Sequence, residues 1–191
     1  MNSLIKFIVI VLCFLITIFC KKPLNKLDLQ LLRLGMFFTV MADLFMIILD
    51  NNTIGVALFC IVQIIYIARY DIDDFGKIIK KLFIIFIILF SIYVVLSFLN
   101  NVDFLIPLAL FYSVCLCFGL YKSLKTLKVG KYPQSNKELI VWGMILFALC
   151  DINVALSYMG LINGLTSNLI WIFYLPSQFL LSISGYKFHF K

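Results

Sequence analysis

Apolar residues in this chain neither alternate nor recur on one helical face; they run on continuously. The runs fall at about 3–20, 29–49, 53–69, 82–99, 103–121, 138–158 and 167–186, separated by short polar stretches. A helix needs about 20 predominantly apolar residues to cross a bilayer. A transmembrane barrel would instead show short alternating segments. The pattern predicts an all-α fold, a polytopic transmembrane helix bundle of seven spans forming a single transmembrane domain over 1–191. No small-residue cleavage site follows the first run, which ends at Cys20-Lys21-Lys22, so it reads as a retained helix rather than a signal peptide. Asp28 is the expected N-cap of the second helix, and Ser135 or Asn136 that of the sixth. Connections such as Asp50-Asn51-Asn52 and Asn100-Asn101 are short, which predicts antiparallel neighbours.

Composition fixes the class. The 191 residues are 64% hydrophobic and 13% charged, whereas soluble domains are roughly half apolar and one quarter charged. A soluble chain of this length has too little interior for that much apolar surface. The net charge of +7 does not imply a nucleic-acid partner, because the basic residues lie scattered between apolar runs. Lys21, Lys22 and Lys26 follow the first run. Arg69, Lys77, Lys80 and Lys81 follow the third, and Lys122, Lys125, Lys128, Lys131 and Lys137 the fifth; Lys187 and Lys191 lie in the tail. The stretches around Asp50, Asn101 and Gly164 hold no Lys or Arg. Under the positive-inside rule this alternation requires an odd number of spans, with the N-terminus outside and the C-terminus cytoplasmic. An integral protein of a bacterial plasma membrane is the expected setting. Asp71, Asp73 and Asp74 read as a solvated loop surface. The six cysteines fall in apolar runs without a CxxC pair, so they read as small hydrophobes. The single histidine, His189, leaves no basis for a His-rich metal site.

Against this background two carboxylates stand out. Asp43 and Asp151 each lie inside an apolar run, eight residues after a glycine (Gly35-Met36 and Gly143-Met144) and 23 residues before a tyrosine (Tyr66 and Tyr174). An ionisable residue at membrane depth is costly and points to function. The matched spacings predict a duplicated helix pair of parallel type. Asp43 lies seven residues before Asp50, Asp151 seven before Tyr158 and Tyr174 seven after Ser167, each about 10 Å deep along its helix. Gln63, ten residues after Thr53, is about 15 Å deep. Gln178 shares a face with Tyr174, while Gly35, Thr39 and Asp43 form one stripe and Gln63, Tyr66 and Tyr70 another. Pro176 should kink the last helix and free a carbonyl there. Together these residues predict a polar pocket in the outer half of the bundle.

A carboxyl surrounded by hydrocarbon resists ionising. Two that are close share a proton. Such a pair supplies one general acid and one general base, and suits cleavage of acetal-like or enol-ether bonds through oxocarbenium-like transition states. The same groups also suit proton-coupled transport or lipid binding. Taken singly, each has a structural reading: Asp43 bonded to Thr39 or Tyr66, the glutamines as interhelical hydrogen bonds, the tyrosines as core or interface aromatics. Serine-nucleophile, phosphate-loop and dinucleotide motifs are absent.

At these positions the chain resembles the YhhN family, whose characterised animal members are lysoplasmalogenases. The first family signature is matched by Gly35, Phe38, Thr39, Ala42 and Asp43, and the next helix by Gly55, Phe59, Gln63 and Tyr66. Gly143, Phe147, Cys150 and Asp151 match the second aspartate signature, with cysteine where serine is common, and Tyr174 and Gln178 the final Tyr-x-x-x-Gln. The resemblance implies a membrane bundle, typically of eight spans, that hydrolyses the vinyl-ether bond of a lysoplasmalogen, a single-chain ether phospholipid. It implies Asp43 and Asp151 as the catalytic pair, with Thr39, Gln63, Tyr66, Tyr174 and Gln178 positioning substrate or water. Neither metal nor organic cofactor is implied, and membrane lipid is the only further partner; the oligomeric state is left open.

Overall fold

The computed structural model describes residues 3–99, 102–160 and 166–187. Asn100, Asn101, Gly164, His189 and Lys191 lie outside the described residues. Seven α-helices follow in order: α1 (Ser3–Ile18), α2 (Lys26–Asp43), α3 (Asn52–Tyr70), α4 (Phe75–Leu99), α5 (Leu105–Thr126), α6 (Gln134–Tyr158) and α7 (Thr166–Ile183). Five, α2 to α6, are long and apolar enough to cross a membrane, α2 by continuing to Ile48; α1 and the apolar part of α7 are shorter. The protein is an integral membrane helix bundle. The most extensive contacts are those of α6 with α7, of α2 with α3 and of α3 with α5, while α3 barely touches α4.

Several expected boundaries move. Lys77, Lys80 and Lys81 lie on α4 rather than in a loop, Lys122 and Lys125 on α5, and Lys137 on α6. Asp28 is not the cap of α2. That position belongs to Asn25, whose side chain accepts from the Leu27 amide at 2.9 Å. Nor do Ser135 or Asn136 cap α6, which starts after Pro133. Proline is pre-set for that entry because its missing N–H is one the helix would leave unpaired. Asn136 is buried instead, and its amide donates to the carbonyls of Ser184 and Tyr186.

Two apolar clusters hold the bundle. The larger joins α1, α2, α3, α5, α6 and α7 through residues such as Ile10, Met36, Tyr66, Leu116, Phe147 and Leu181. The smaller joins α3, α4 and α5 through Cys60, Ile67, Ile78, Leu82, Phe111 and Cys115. Beyond Leu82, α4 is exposed along most of its length, a surface suited to lipid.

The basic segments gather at one end of the bundle. Pro23 bridges to Tyr186, and the Lys187 amide donates to the Lys22 carbonyl, joining the α1–α2 connection to the C-terminal segment. At the same end Arg69 forms a two-pronged ion pair with Asp28, Nε to Oδ1 and Nη2 to Oδ2, both 3.0 Å. The Tyr132 hydroxyl donates between Asp28 Oδ1 (2.6 Å) and the Arg69 carbonyl (2.9 Å). This ties the α5–α6 connection to α2 and α3.

Asp71 is likewise more than a solvated loop residue. Its carboxylate accepts from Lys122 at 2.8 Å and Lys125 at 2.9 Å. Burial alone would raise its pKa, but the two ammonium groups outweigh that and hold it at about 2. The unfolded value is about 3.9, so the folded group binds its proton less readily. Its stabilisation is therefore complete above about pH 4 and lost as pH falls toward 2. Asp71→Asn is expected to cost about 2 kcal/mol near neutrality. Thermal unfolding in detergent should show the variant and the parent converging as the pH approaches 2; a constant gap would contradict the ion-pair origin.

Candidate functional site

The site begins where α2 changes its winding. Immediately after Asp43 the chain passes into a π-helical segment, Leu44–Ile48. The Leu49 amide reaches back to the Leu44 carbonyl and the Asn51 amide to that of Phe45. Asp50 then adopts φ +50°, a left-handed conformation that aspartate tolerates better than most residues, and the Asn51 side chain caps α3 through the Ile54 amide. Inserted π turns occur frequently at functional sites.

Glycines set the spacing of the helices beneath. A Cβ on Gly35 would lie 2.7 Å from Tyr66 Cε1, and one on Gly143 would lie 2.8 Å from Leu181 Cγ. Each glycine therefore admits a large side chain of the next helix two turns from its aspartate. The partners are not equivalent, since Tyr66 has Tyr174, not Leu181, as its counterpart in the repeat.

The two aspartates lie in one region of the bundle, with Asp151 near enough for its charge to act on Asp43. Tyr174 donates to Asp43 Oδ2 at 2.7 Å. Tyr112, on α5, donates to Asp151 Oδ2 at 2.5 Å. Both lengths lie in the ordinary range for a hydroxyl donor to oxygen. Asp43 and Tyr174 are buried, whereas Asp151 and Tyr112 are half-buried. Phe147 touches Tyr174, and Phe59 spans from Phe147 to Tyr112, with ring centroids 5.9–6.1 Å apart. Aromatic rings thus wall the layer and connect its two carboxylates.

The other expected residues are distributed around this layer. Gln63 is fully buried against Gly119 and Tyr112, with neither amide atom in a well-formed hydrogen bond among the described residues. Gln178 is also fully buried, with neither amide atom in a well-formed hydrogen bond among the described residues, one turn beyond Tyr174 in a helix that continues through Pro176. Thr39 turns back to the Gly35 carbonyl at 3.0 Å. The Tyr66 hydroxyl goes to Met36 Sδ at 3.4 Å rather than to a carboxylate.

Sequence reasoning missed Tyr112. The repeat pairs Asp151 with Tyr174 along the chain, but in space Tyr174 serves Asp43, and Asp151 takes its hydroxyl from α5, outside the repeat. The available signal was a tyrosine in the middle of an apolar run, 39 residues before Asp151. Among the described residues no three His, Cys, Asp or Glu side chains converge as metal ligands would.

None of the curated proteins and none of the solved structures compared matches the chain. The model of one family does, the YhhN family, over residues 1–185. That span takes in all seven helices and the entire aspartate layer, and the chain belongs to the YhhN family.

Proposed function

We propose that the protein is a membrane-embedded hydrolase that cleaves the vinyl-ether bond of lysoplasmalogens, releasing a fatty aldehyde and a glycerophospho-base. The observation that carries this reading is the pair of carboxylates at membrane depth, each bearing one tyrosine hydroxyl (Tyr174 on Asp43, Tyr112 on Asp151). YhhN membership supports the same reaction class. In this orientation the basic end faces the cytoplasm, as the positive-inside rule requires.

A vinyl ether is activated by protonation at carbon. One carboxyl of the pair donates its proton to the alkenyl carbon distal to the ether oxygen, leaving an oxocarbenium ion. The other, ionised, takes a proton from water as the water oxygen bonds to the cationic carbon. The resulting hemiacetal breaks its bond to the glycerol oxygen, which gains a proton while the hydroxyl loses one, and aldehyde departs. The pair ends with one proton, as it began. Two linked carboxylates suit this sequence because acid and base act in one turnover. A positive intermediate is also favoured beside a carboxylate in a site of low dielectric.

The tyrosines hold the pair in place and fix which oxygen of each carboxylate is free. A hydrogen bond to a charged group contributes about 1.5–3 kcal/mol, so Tyr112→Phe or Tyr174→Phe should lower turnover roughly 10- to 100-fold with the fold intact. Steady-state assays on both variants check this; unchanged rates would remove the tyrosines from the mechanism.

The reaction class is tested by supplying purified protein with lysoplasmenylethanolamine and, separately, its saturated alkyl-ether analogue. Aldehyde is expected from the vinyl ether alone, since the saturated ether cannot form an oxocarbenium ion by carbon protonation. Absence of release, with proton-dependent uptake of lipid into proteoliposomes, would replace the hydrolase reading with transport.

A further inference from the structure

The polar groups of the bundle do not stop at the aspartate layer. Beyond Tyr112 they continue along α3 as Gln63, Tyr66 and Tyr70, spaced three and four residues apart on one face. Tyr112 lies against Gln63. Tyr66 and Tyr70 stack with ring centroids 6.1 Å apart. The column is buried throughout, with Gln63 and Tyr66 at 0% exposure. Yet both amide atoms of Gln63, the Tyr70 hydroxyl and Arg69 Nη1 have no well-formed hydrogen bond among the described residues. At its lower end the column reaches Lys131, an exposed residue of the α5–α6 connection whose ammonium donates to the carbonyls of Arg69 (2.7 Å) and Tyr70 (3.5 Å).

Each buried polar group left without a partner costs about 1–3 kcal/mol. Several in one column, with only loose approaches of Gln63 to Tyr112 and of Tyr70 to Arg69, match the usual setting of internal water, which makes about three hydrogen bonds to such groups. Gly119 makes the space that Gln63 Oε1 occupies: a Cβ there would lie 2.8 Å from that oxygen. From Gln63 to Tyr70 is seven residues, about 10 Å, a span for a few waters.

We propose that this column binds a file of water running from the basic end, beside Tyr70 and Lys131, past Tyr66 and Gln63 to Tyr112 and Asp151. The file rests on the unpaired groups alone. Its role, delivering the hydrolytic water while lipid occupies the membrane side of the layer, rests on the hydrolase reading. Gln63 is then a positioning residue that holds the last water before the Tyr112–Asp151 pair.

X-ray radiolytic footprinting of the full chain in nanodiscs tests this, because hydroxyl radicals formed from bound water oxidise the side chains beside it. Tyr66, Tyr70 and Met36 are expected to label despite their burial. Cys60 and Cys115, buried in the apolar α3–α4–α5 cluster, should stay unlabelled although thiols are the more reactive groups. Labelling at Tyr66 should fall several-fold in Gln63→Leu and in Tyr70→Phe, with exposed Tyr121 unchanged; Tyr70→Phe removes a single oxygen and tests the point should the leucine variant fail to fold. A folded wild-type protein in which Tyr66 and Tyr70 remain unlabelled overturns the water file, as does undiminished Tyr66 labelling in both variants. Labelling without aldehyde release from lysoplasmenylethanolamine would keep the file and remove its role in hydrolysis, so the two failures are read separately.

Discussion

Asp43→Asn and Asp151→Asn should each lower aldehyde release by about 10²–10⁴-fold, the range typical of losing one general acid or base. Asparagine preserves the size of the side chain and accepts the same tyrosine hydrogen bond, so the loss isolates proton transfer. The two losses are not expected to add. With one carboxyl gone the remaining member lacks its partner for either half of the reaction, and groups that act as a unit are grossly non-additive. The double variant should therefore be little slower than the worse single one. Rates measured in proteoliposomes, on proteins matched by thermal unfolding, decide the point; two independent, multiplicative losses would argue against a shared proton.

A second large effect is expected far from the aspartates. Arg69 and Asp28 are almost fully withdrawn from solvent, with side-chain exposures of 0% and 3%. Removing one partner of such a pair costs about 3–5 kcal/mol, because the other charge is left buried and uncompensated, whereas replacing both with apolar side chains of similar volume is often near neutral. Arg69→Met and Asp28→Leu are thus each expected to unfold the bundle at markedly lower temperature, and the double variant to recover much of the loss. Tyr132 sharpens the test, since Tyr132→Phe removes only a hydroxyl from Asp28 and the Arg69 carbonyl. Thermal unfolding in detergent measures the whole set. A double variant as unstable as the sum of the singles would show that the pair is not coupled.

The membrane class, the helix count and the matched aspartate segments were all legible in the chain, because uninterrupted apolar runs and a carboxylate within them leave few alternatives. What escaped was tertiary. Asp28 follows a polar stretch and reads locally as a cap, yet its partner is Arg69, 41 residues away, and no local pattern encodes that pairing. Arg69 itself reads as an interface anchor for the same reason. Lys77, Lys80 and Lys81 look like loop residues on charge alone, but α4 begins at Phe75, since long side chains can sit on a helix while their charged ends reach water. The repeat located Asp43, Asp151 and Tyr174 but gave Tyr66 a role that its contact with Met36 does not show. Matched spacings along the chain need not give matched contacts when the two segments pack against different neighbours. Tyr112 lies outside the repeat, and the π segment after Asp43 has no signature in Leu44–Ile48.

The central claim is that Asp43 and Asp151 together protonate the carbon of a vinyl ether. Its most direct test is to hydrolyse lysoplasmenylethanolamine in deuterated water with purified wild type and with the folded Asp43→Asn/Asp151→Asn double variant, and to weigh the released aldehyde by mass spectrometry. The account predicts aldehyde from the wild type carrying one deuterium on the carbon next to the carbonyl, with release reduced to background in the variant. Aldehyde without that deuterium, or undiminished release from the variant, would contradict it.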